Sequence, residues 1–272
     1  MRLVNALQHW LGASIVVHQK SAHVLEILIS KPNSEEILHL LFYGAKATAR
    51  IPQEAGASPH SIHLDEDLWV QKPEIILSRI KAKLGWARKI HARETQVARI
   101  DKAQAMNFQM THHLQVALPG KYRYGLFLQG ELVAVAVFSG GRKMKSLSAE
   151  LRSFELLRFC HKTDLIVVGG LSKLLRSFEK DFSPGDIMTY IDRDWSDGKS
   201  FERIGFEKAG EIPPQEFWVD PRTHQRYTAF DLPEPVSFFE KGTGEENGTA
   251  KLGEPHWIQK ENAGSLKMIK RQ

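Results

Sequence analysis

The sequence predicts a mixed α/β (α+β) protein, with a central mixed sheet flanked by helices and a small α/β unit ahead of it. Three observations carry that reading. Residues 156–206 run as strand, glycine turn, helix, strand and helix, through 156–160, 167–175, 187–192 and 199–206. Two β-branched and aromatic runs, 122–128 and 132–138, meet across Gln129-Gly130, a tight hairpin signal. Pro73 opens a helical pattern in which Ile76, Ile80 and Leu84 recur at i, i+4 and i+8, with cations mostly on the other face and Gly85 to end it.

The remaining elements follow in order. Runs at 14–17 and 23–29 around Lys20-Ser21 predict a hairpin, and 61–68 another strand. Residues 100–115 predict a helix ahead of the 122–138 hairpin, and Gly140-Gly141 with Arg142, Lys143 and Lys145 a flexible basic loop. After Phe206 come a strand, a break at Pro213-Pro214 and a hairpin over 217–230. Residues 240–256, rich in Gly and Glu, predict an exposed linker, and 256–270 a segment returning to the sheet edge. The division is 1–90 for the N-terminal unit, 91–235 for the larger domain, and 236–272 for the linker and closing strand.

Composition bounds the function. With 272 residues and 42% hydrophobic content the chain can bury a full core. No apolar run approaches the roughly 20 residues of a membrane span, and the N-terminus lacks a signal-peptide pattern. A soluble, cytoplasmic protein without membrane partners is expected. The single cysteine, Cys160, excludes an internal disulfide and reads as a small core residue. The twelve histidines show no metal-ligand spacing, so no metal is expected.

The formal charge of +5 is unevenly placed. Between Arg79 and Arg99 lie Arg79, Lys81, Lys83, Arg88, Lys89, Arg93 and Arg99 against Glu94 alone. Such a stripe suits DNA or RNA phosphates, or is a solvated helix face. Arg79, Lys83, Arg88, Lys89 and Arg93, with Arg142 and Lys143 of the loop, are the candidate nucleic-acid contacts. At Gly169-Gly170 a turn exposes main-chain N–H groups at a helix N-terminus, where orphan donors and the dipole attract phosphate.

The strand, glycine turn, helix and closing Phe201-Glu202-Arg203-Ile204-Gly205-Phe206 segment resemble the cofactor-binding half of the GNAT acyltransferases. In that family the turn reads Arg or Gln-x-x-Gly-x-Gly or Ala; here Ile166 and Leu171 hold the first and last positions. A tyrosine general acid commonly stands where this chain has Phe201. The resemblance implies a GNAT-like sheet and an N-acyltransferase that uses acetyl-coenzyme A or another acyl-coenzyme A. The cofactor would be gripped by main-chain groups of Val168, Gly169, Gly170, Leu171, Ser172 and Lys173, with the strand through Phe159 pairing the pantetheine amides. In place of the tyrosine, Asp192, Ser196 and Tyr190 are the candidate catalytic residues, with Asp194 and His113 as further polar groups. The alternative for Asp192 or Asp194 is a helix cap, and for Trp195 a core position.

From about Ser61 onward the chain also resembles phage and mobile-element proteins that join a homing or very-short-patch-repair-like nuclease region to a GNAT-like domain. The segments that carry this include Asp65-Glu66-Asp67-Leu68-Trp69, Leu157-Arg158-Phe159-Cys160 and Asp192-Arg193-Asp194-Trp195-Ser196. It implies a nuclease-like region in the first 90 residues. Metal-dependent nucleases commonly need Glu-x-Lys or Asp-x-Lys; the sequence has no Glu-x-Lys, and its only Asp-x-Lys is Asp197 to Lys199. A degenerate nuclease-like unit is therefore expected. The acceptor, a nucleic-acid base or a protein amine, stays open, as does the oligomeric state. The rival readings are a non-catalytic nucleic-acid-binding module and a residual nuclease.

Overall fold

The protein is seen in a computed structural model that describes residues 2–30, 37–51, 61–143, 151–232 and 257–271. The N-terminal unit comprises α1 (Arg2–Leu11), β1 (Ser14–Ser21), β2 (Val24–Ser30), β3 (Ile37–Tyr43), β4 (Ile62–Asp65), α2 (Glu66–Gln71) and α3 (Pro73–Lys83). Its strands lie in chain order, antiparallel up to β3, with β4 parallel to β3. Leu7, Ile27, Leu40, Ile62, Leu64, Ile76 and Ile80 fill its core. The strand expected over 61–68 stops at Asp65, because Glu66 and Asp67 start α2, where carboxylates favour the positive end of the helix.

The basic stretch after Arg79 is not one helix face. It divides among α3, β5 (Arg88–His91), a 3-10 turn at Ala92–Glu94 and β6 (Gln96–Arg99). β5 has one buried residue, Ile90, and exists because it pairs in parallel with residues 165–168. The helix expected over 100–115 is shorter, α4 (Lys102–His112). Asp101 accepts from the Gln104 N–H at 2.8 Å and the Gln104 side chain reaches back, a capping box that fixes the start.

Next come β7 (Tyr122–Leu128), β8 (Glu131–Phe138), β9 (Arg142–Lys143), β10 (Arg152–His161), β11 (Leu165–Val168), α5 (Gly170–Phe182), β12 (Asp186–Asp192), α6 (Lys199–Glu202) and β13 (Glu207–Ile212). The C-terminal elements are β14 (Glu216–Val219), β15 (Arg226–Tyr227), β16 (Ile258–Glu261) and β17 (Ser265–Arg271). The central sheet has the order β13-β17-β12-β10-β8-β7-β6, with β9 on β10. It is mixed: β10 and β12 are parallel and the other pairs antiparallel. This is the expected mixed α/β architecture, a central mixed sheet flanked by helices. Gln129 and Gly130 both have positive φ, 51° and 84°, as the two-residue β7–β8 turn requires.

The C-terminal strand differs from expectation. β17 does not close the sheet edge but lies inside it, in register with β12 over residues 186–192 and with β13 on its other side. Of the expected linker and basic loop, residues 240–256 and Lys145 lie outside the described residues.

Helices cover both faces of the sheet, and β8 shows why. Ala134, Ala136 and Phe138 face the cluster under α5, where Phe178 stacks on Phe138 at 4.0 Å between ring centres. The alternate residues Val135 and Val137 face Phe108 of α4 and Cys160.

A buried ion network ties the N-terminal unit to the rest. Asp65 is wholly buried and accepts from Arg50 Nη1 and Nη2, both at 2.8 Å, and from Arg226 Nη2 at 2.7 Å; Lys260 Nζ lies 3.4 Å away. Arg50 also bonds both oxygens of Asp194 at 3.0 Å, and Arg226 holds Asp67. These partners hold the Asp65 carboxyl far below its ordinary range, against the burial that would raise it.

Candidate functional site

β10 and β12 are parallel neighbours in register at only three positions, Ser153–Asp186, Phe154–Ile187 and Glu155–Met188. β10 continues to His161 and β12 to Asp192, so beyond these pairs the strands diverge. A cleft of about 300 Å³ occupies the gap, lined by Leu156, Leu157, Arg158 and Phe159 on one strand and Thr189, Tyr190, Ile191 and Asp192 on the other. A bulge between Leu156 and Arg158 lies at the point of divergence. Arg79 and Lys83 of α3, residues 113–115 after α4, and Trp195, Ser196, Ser200 and Phe201 complete the walls. An adjoining cleft of about 400 Å³ shares Arg79, Lys83, Phe159, Trp195 and Ser200 and continues past Cys160, His161 and Lys162 to Ile166.

The structure brings Asp192, Ser196 and Tyr190 together in the first cleft. Asp192 Oδ1 accepts from the Asp194 N–H at 2.9 Å and Oδ2 from Gln115 Nε2 at 3.3 Å. Desolvation, then the negative charge of Asp194, raise its pKa, so it holds a proton more readily than an ordinary aspartate. Asp194 does not share the cleft; it is consumed by Arg50 and the Ala263 N–H in the ion network. Phe201 lines the cleft edge-on to Phe206, a hydrocarbon ring without a proton to give.

His113 also lines the cleft. Burial, with Arg79 and Arg158 nearby, lowers its pKa to about 3, so the ring is neutral at physiological pH. Its Nδ1 lies 3.1 Å from the Gln115 N–H and 3.4 Å from the Gln115 carbonyl, so Gln115 orients the ring at the cleft wall. A ring with so low a pKa is a poor base. Cys160 lies in the adjoining cleft, its thiol pushed up to about 12 by burial, which makes it inert as a nucleophile.

Of the expected cofactor residues, Phe159 lines both clefts and the segment 168–173 lines neither. Gly169 takes φ 77°, and a Cβ there would meet Ala92 at 3.7 Å, so the turn abuts the 3-10 segment. Lys173 turns inward, donating to the carbonyls of Ala92, at 2.8 Å, and Thr95. Val168 and Gly169 are exposed. The expected nucleic-acid residues also separate. Arg79 and Lys83 belong to the cleft, Arg88, Lys89 and Arg93 are exposed on β5 and the turn after it, and Arg142 and Lys143 are exposed on β9.

Sequence reasoning missed Gln115 and Arg158 as site residues and assigned Arg79 and Lys83 to another role. Nothing in a helical cation pattern marks the members that a distant strand pair will face.

No protein-family model matches the chain, and neither does any curated protein sequence. Among solved structures it is similar to a GNAT family acetyltransferase from Elizabethkingia anophelis with acetyl-CoA bound, at 10% identity and TM-score 0.34, over 66% of this chain and 99% of that one. It is similar to Arabidopsis thaliana Naa50 in complex with a bisubstrate analogue at 9% identity and TM-score 0.39, over 66% and 99%. A third, histone acetyltransferase HPA2 and related acetyltransferase from Corynebacterium glutamicum, gives 12% identity and TM-score 0.37, over 65% and 96%. Among the described residues no helix is long and apolar enough to cross a membrane.

Proposed function

We propose that the chain is a GNAT-like, acyl-coenzyme A-dependent N-acyltransferase that works in the cleft between β10 and β12. The observation that carries the reading is the divergence of these parallel strands after three register pairs, beside Asp192. An extended thioester ligand fits this gap. The edge of β10 that faces β12 has no strand partner beyond Glu155 among the described residues; Thr189 Oγ1 holds the Leu156 carbonyl at 2.9 Å and Arg158 Nη1 the Leu157 carbonyl at 2.7 Å. Leu156, Phe159 and Phe201 supply apolar wall, and the turn at Gly169-Gly170, outside both clefts, offers the first N–H groups of α5, at Gly170, Leu171 and Ser172, for the phosphates. The acyl donor supplies the activated carbonyl; the residues of the chain position the acceptor and move protons.

As the acceptor amine forms its C–N bond and the C–S bond breaks, one proton leaves nitrogen and one reaches sulfur. Asp192 is the group for this exchange, since its raised pKa brings its two protonation states closer in energy at neutral pH. Tyr190 and Ser196 line the same space and complete the polar wall. The test is thiol release from acetyl-coenzyme A in the presence of a panel of amines. Amine-dependent release by the native chain, lowered about 100-fold or more in Asp192→Asn, supports the reading. Release that Asp192→Asn leaves unchanged removes Asp192 from the chemistry, and none with any amine counts against acyl transfer.

A second reading is a nucleic-acid-binding module, favoured by the exposure of Arg88, Lys89 and Arg93, none of which has a carboxylate at ion-pair distance among the described residues. Duplex affinity that falls steeply with salt and survives Asp192→Asn supports it.

A further inference from the structure

Arg79 stands in the wall shared by the two clefts, its guanidinium carbon 4.4 Å from the centre of the Trp195 ring. Its Nε is buried without a hydrogen-bond partner, and no carboxylate lies within ion-pair distance among the described residues. A charged donor left unmatched in this way carries its desolvation cost without compensation. Asp192 is the acid nearest in influence, yet both its oxygens are engaged by Asp194 and Gln115.

The surrounding groups sharpen the imbalance. Lys83, one turn along α3, lines both clefts. Arg158 spends Nε and Nη1 on the carbonyls of Val116 and Leu157, which satisfies N–H groups but leaves its charge unneutralised. From β10 and the residues after it, His161 and Lys162 face the second cleft, as does His112 of α4. Burial lowers the pKa of His161 to about 4 and that of His113 to about 3, so neither adds a charge, and neither takes one away. Lys162 is neutralised by its ion pair with Glu131, and Asp197 and Glu155 act on Lys83 and Arg158 from a distance, so around the shared wall Arg79, Lys83 and Arg158 stand as cations with Asp192 and no carboxylate at ion-pair distance among the described residues.

We propose that this wall is an oxyanion site, in which a carboxylate or phosphoryl group of the acceptor substrate is held by Arg79, with Lys83 and Arg158 adding charge. The proposal rests on the acyl-transfer reading for its neighbour and deepens it by giving a substrate class. An amine that also carries an acid group, such as an α-amino acid, matches both halves of the cleft. Its anion sits against the cations of α3 and β10, and its nitrogen lies toward Asp192. An Arg presents its planar set of donors to such a group and cannot shed its proton to escape the burial.

The test follows the side-chain Nε–H NMR signal of Arg79 in the full chain, assigned through Arg79→Lys. Should that variant not fold, Trp195→Phe assigns the signal by removing the indole beneath it. The probes are inorganic phosphate, acetate and glycine, each added alone, and then acetyl-coenzyme A. The proposal expects a saturable shift with the small anions, glycine among them, and roughly threefold to tenfold weaker binding in Lys83→Gln at the exposed rim. A signal moved by acetyl-coenzyme A alone assigns the anion to the acyl donor's phosphates and overturns the acceptor class. A signal moved by none of the probes overturns the site. Because the small anions are added without acyl donor, a chain that binds them and ignores acetyl-coenzyme A refutes acyl transfer while the oxyanion site stands.

Discussion

Replacing Asp65 by Asn keeps the volume and one acceptor oxygen but removes a charge on which Arg50, Arg226 and Lys260 converge. Its side chain is 0% exposed, that of Lys260 1% and that of Arg50 9%, so solvent screens little of the loss. Breaking a buried ion pair from one side costs about 3–5 kcal/mol, because the opposite charge stays behind without compensation. Here Arg50 keeps Asp194 and Arg226 keeps Asp67, which argues for the lower half of that range. For a chain of this size about 3–4 kcal/mol lowers the melting temperature by roughly 6–16 °C. Denaturant unfolding of native and Asp65→Asn protein measures it, with Glu207→Gln as control. Glu207 and Arg271 pair with side chains 75% and 66% exposed, and their loss should cost under about 1 kcal/mol. The reasoning fails if Asp65→Asn costs no more than the control.

Three further outcomes follow from burial. His161 and His113 have pKa values lowered to about 4 and about 3 from 6.5, so below pH 6.5 the unfolded chain binds protons that the folded chain refuses, and stability falls as pH drops toward 4. Asp192, shifted upward, works in the opposite sense; His161→Gln, whose amide oxygen can still accept from the Val167 N–H, should lower the slope of stability against pH by about 1.4 kcal/mol per pH unit. Cys160 should resist thiol reagents at pH 8 until the chain is unfolded, and prompt labelling of native protein contradicts its burial. Phe178→Ala removes the ring at the centre of the aromatic cluster and should cost about 3–5 kcal/mol in denaturant unfolding; a loss under 1 kcal/mol places α5 elsewhere.

Elements whose signal is local were legible in the sequence. Gln129-Gly130 marks the β7–β8 turn because few residues tolerate two successive positive φ values. Pro73 and the Ile76, Ile80, Leu84 spacing mark α3 because the buried face repeats every helical turn. Elements created by pairing were not legible. β5, with Arg88, Lys89 and His91 around Ile90, lacks the alternation of a strand and is extended only because β11 lies beside it. β17 reads as a closing strand, and nothing in Ser265–Arg271 tells that it inserts between β12 and β13.

The candidate site divides the same way. Asp192, Tyr190 and Ser196, expected from a strand that ends in polar and aromatic residues, line one cleft. Arg79 reads as one cation of a solvated or nucleic-acid-facing stripe, because its place in the cleft wall depends on where α3 meets the diverging strands. Asp194 shows the converse. It sits two residues from Asp192 in the same polar segment, yet the fold spends it on Arg50.

The claim that the β10–β12 cleft and the Gly169-Gly170 turn receive an acyl-coenzyme A is tested most directly by calorimetric titration of acetyl-coenzyme A into the native chain and into Gly169→Glu. Gly169 is exposed, and a Cβ there meets nothing closer than Ala92 at 3.7 Å, so the variant adds a negative charge and some strain at φ 77° at an exposed turn. The account predicts micromolar binding to the native chain and none to Gly169→Glu. No heat from the native chain, alongside a normal melting transition, contradicts it.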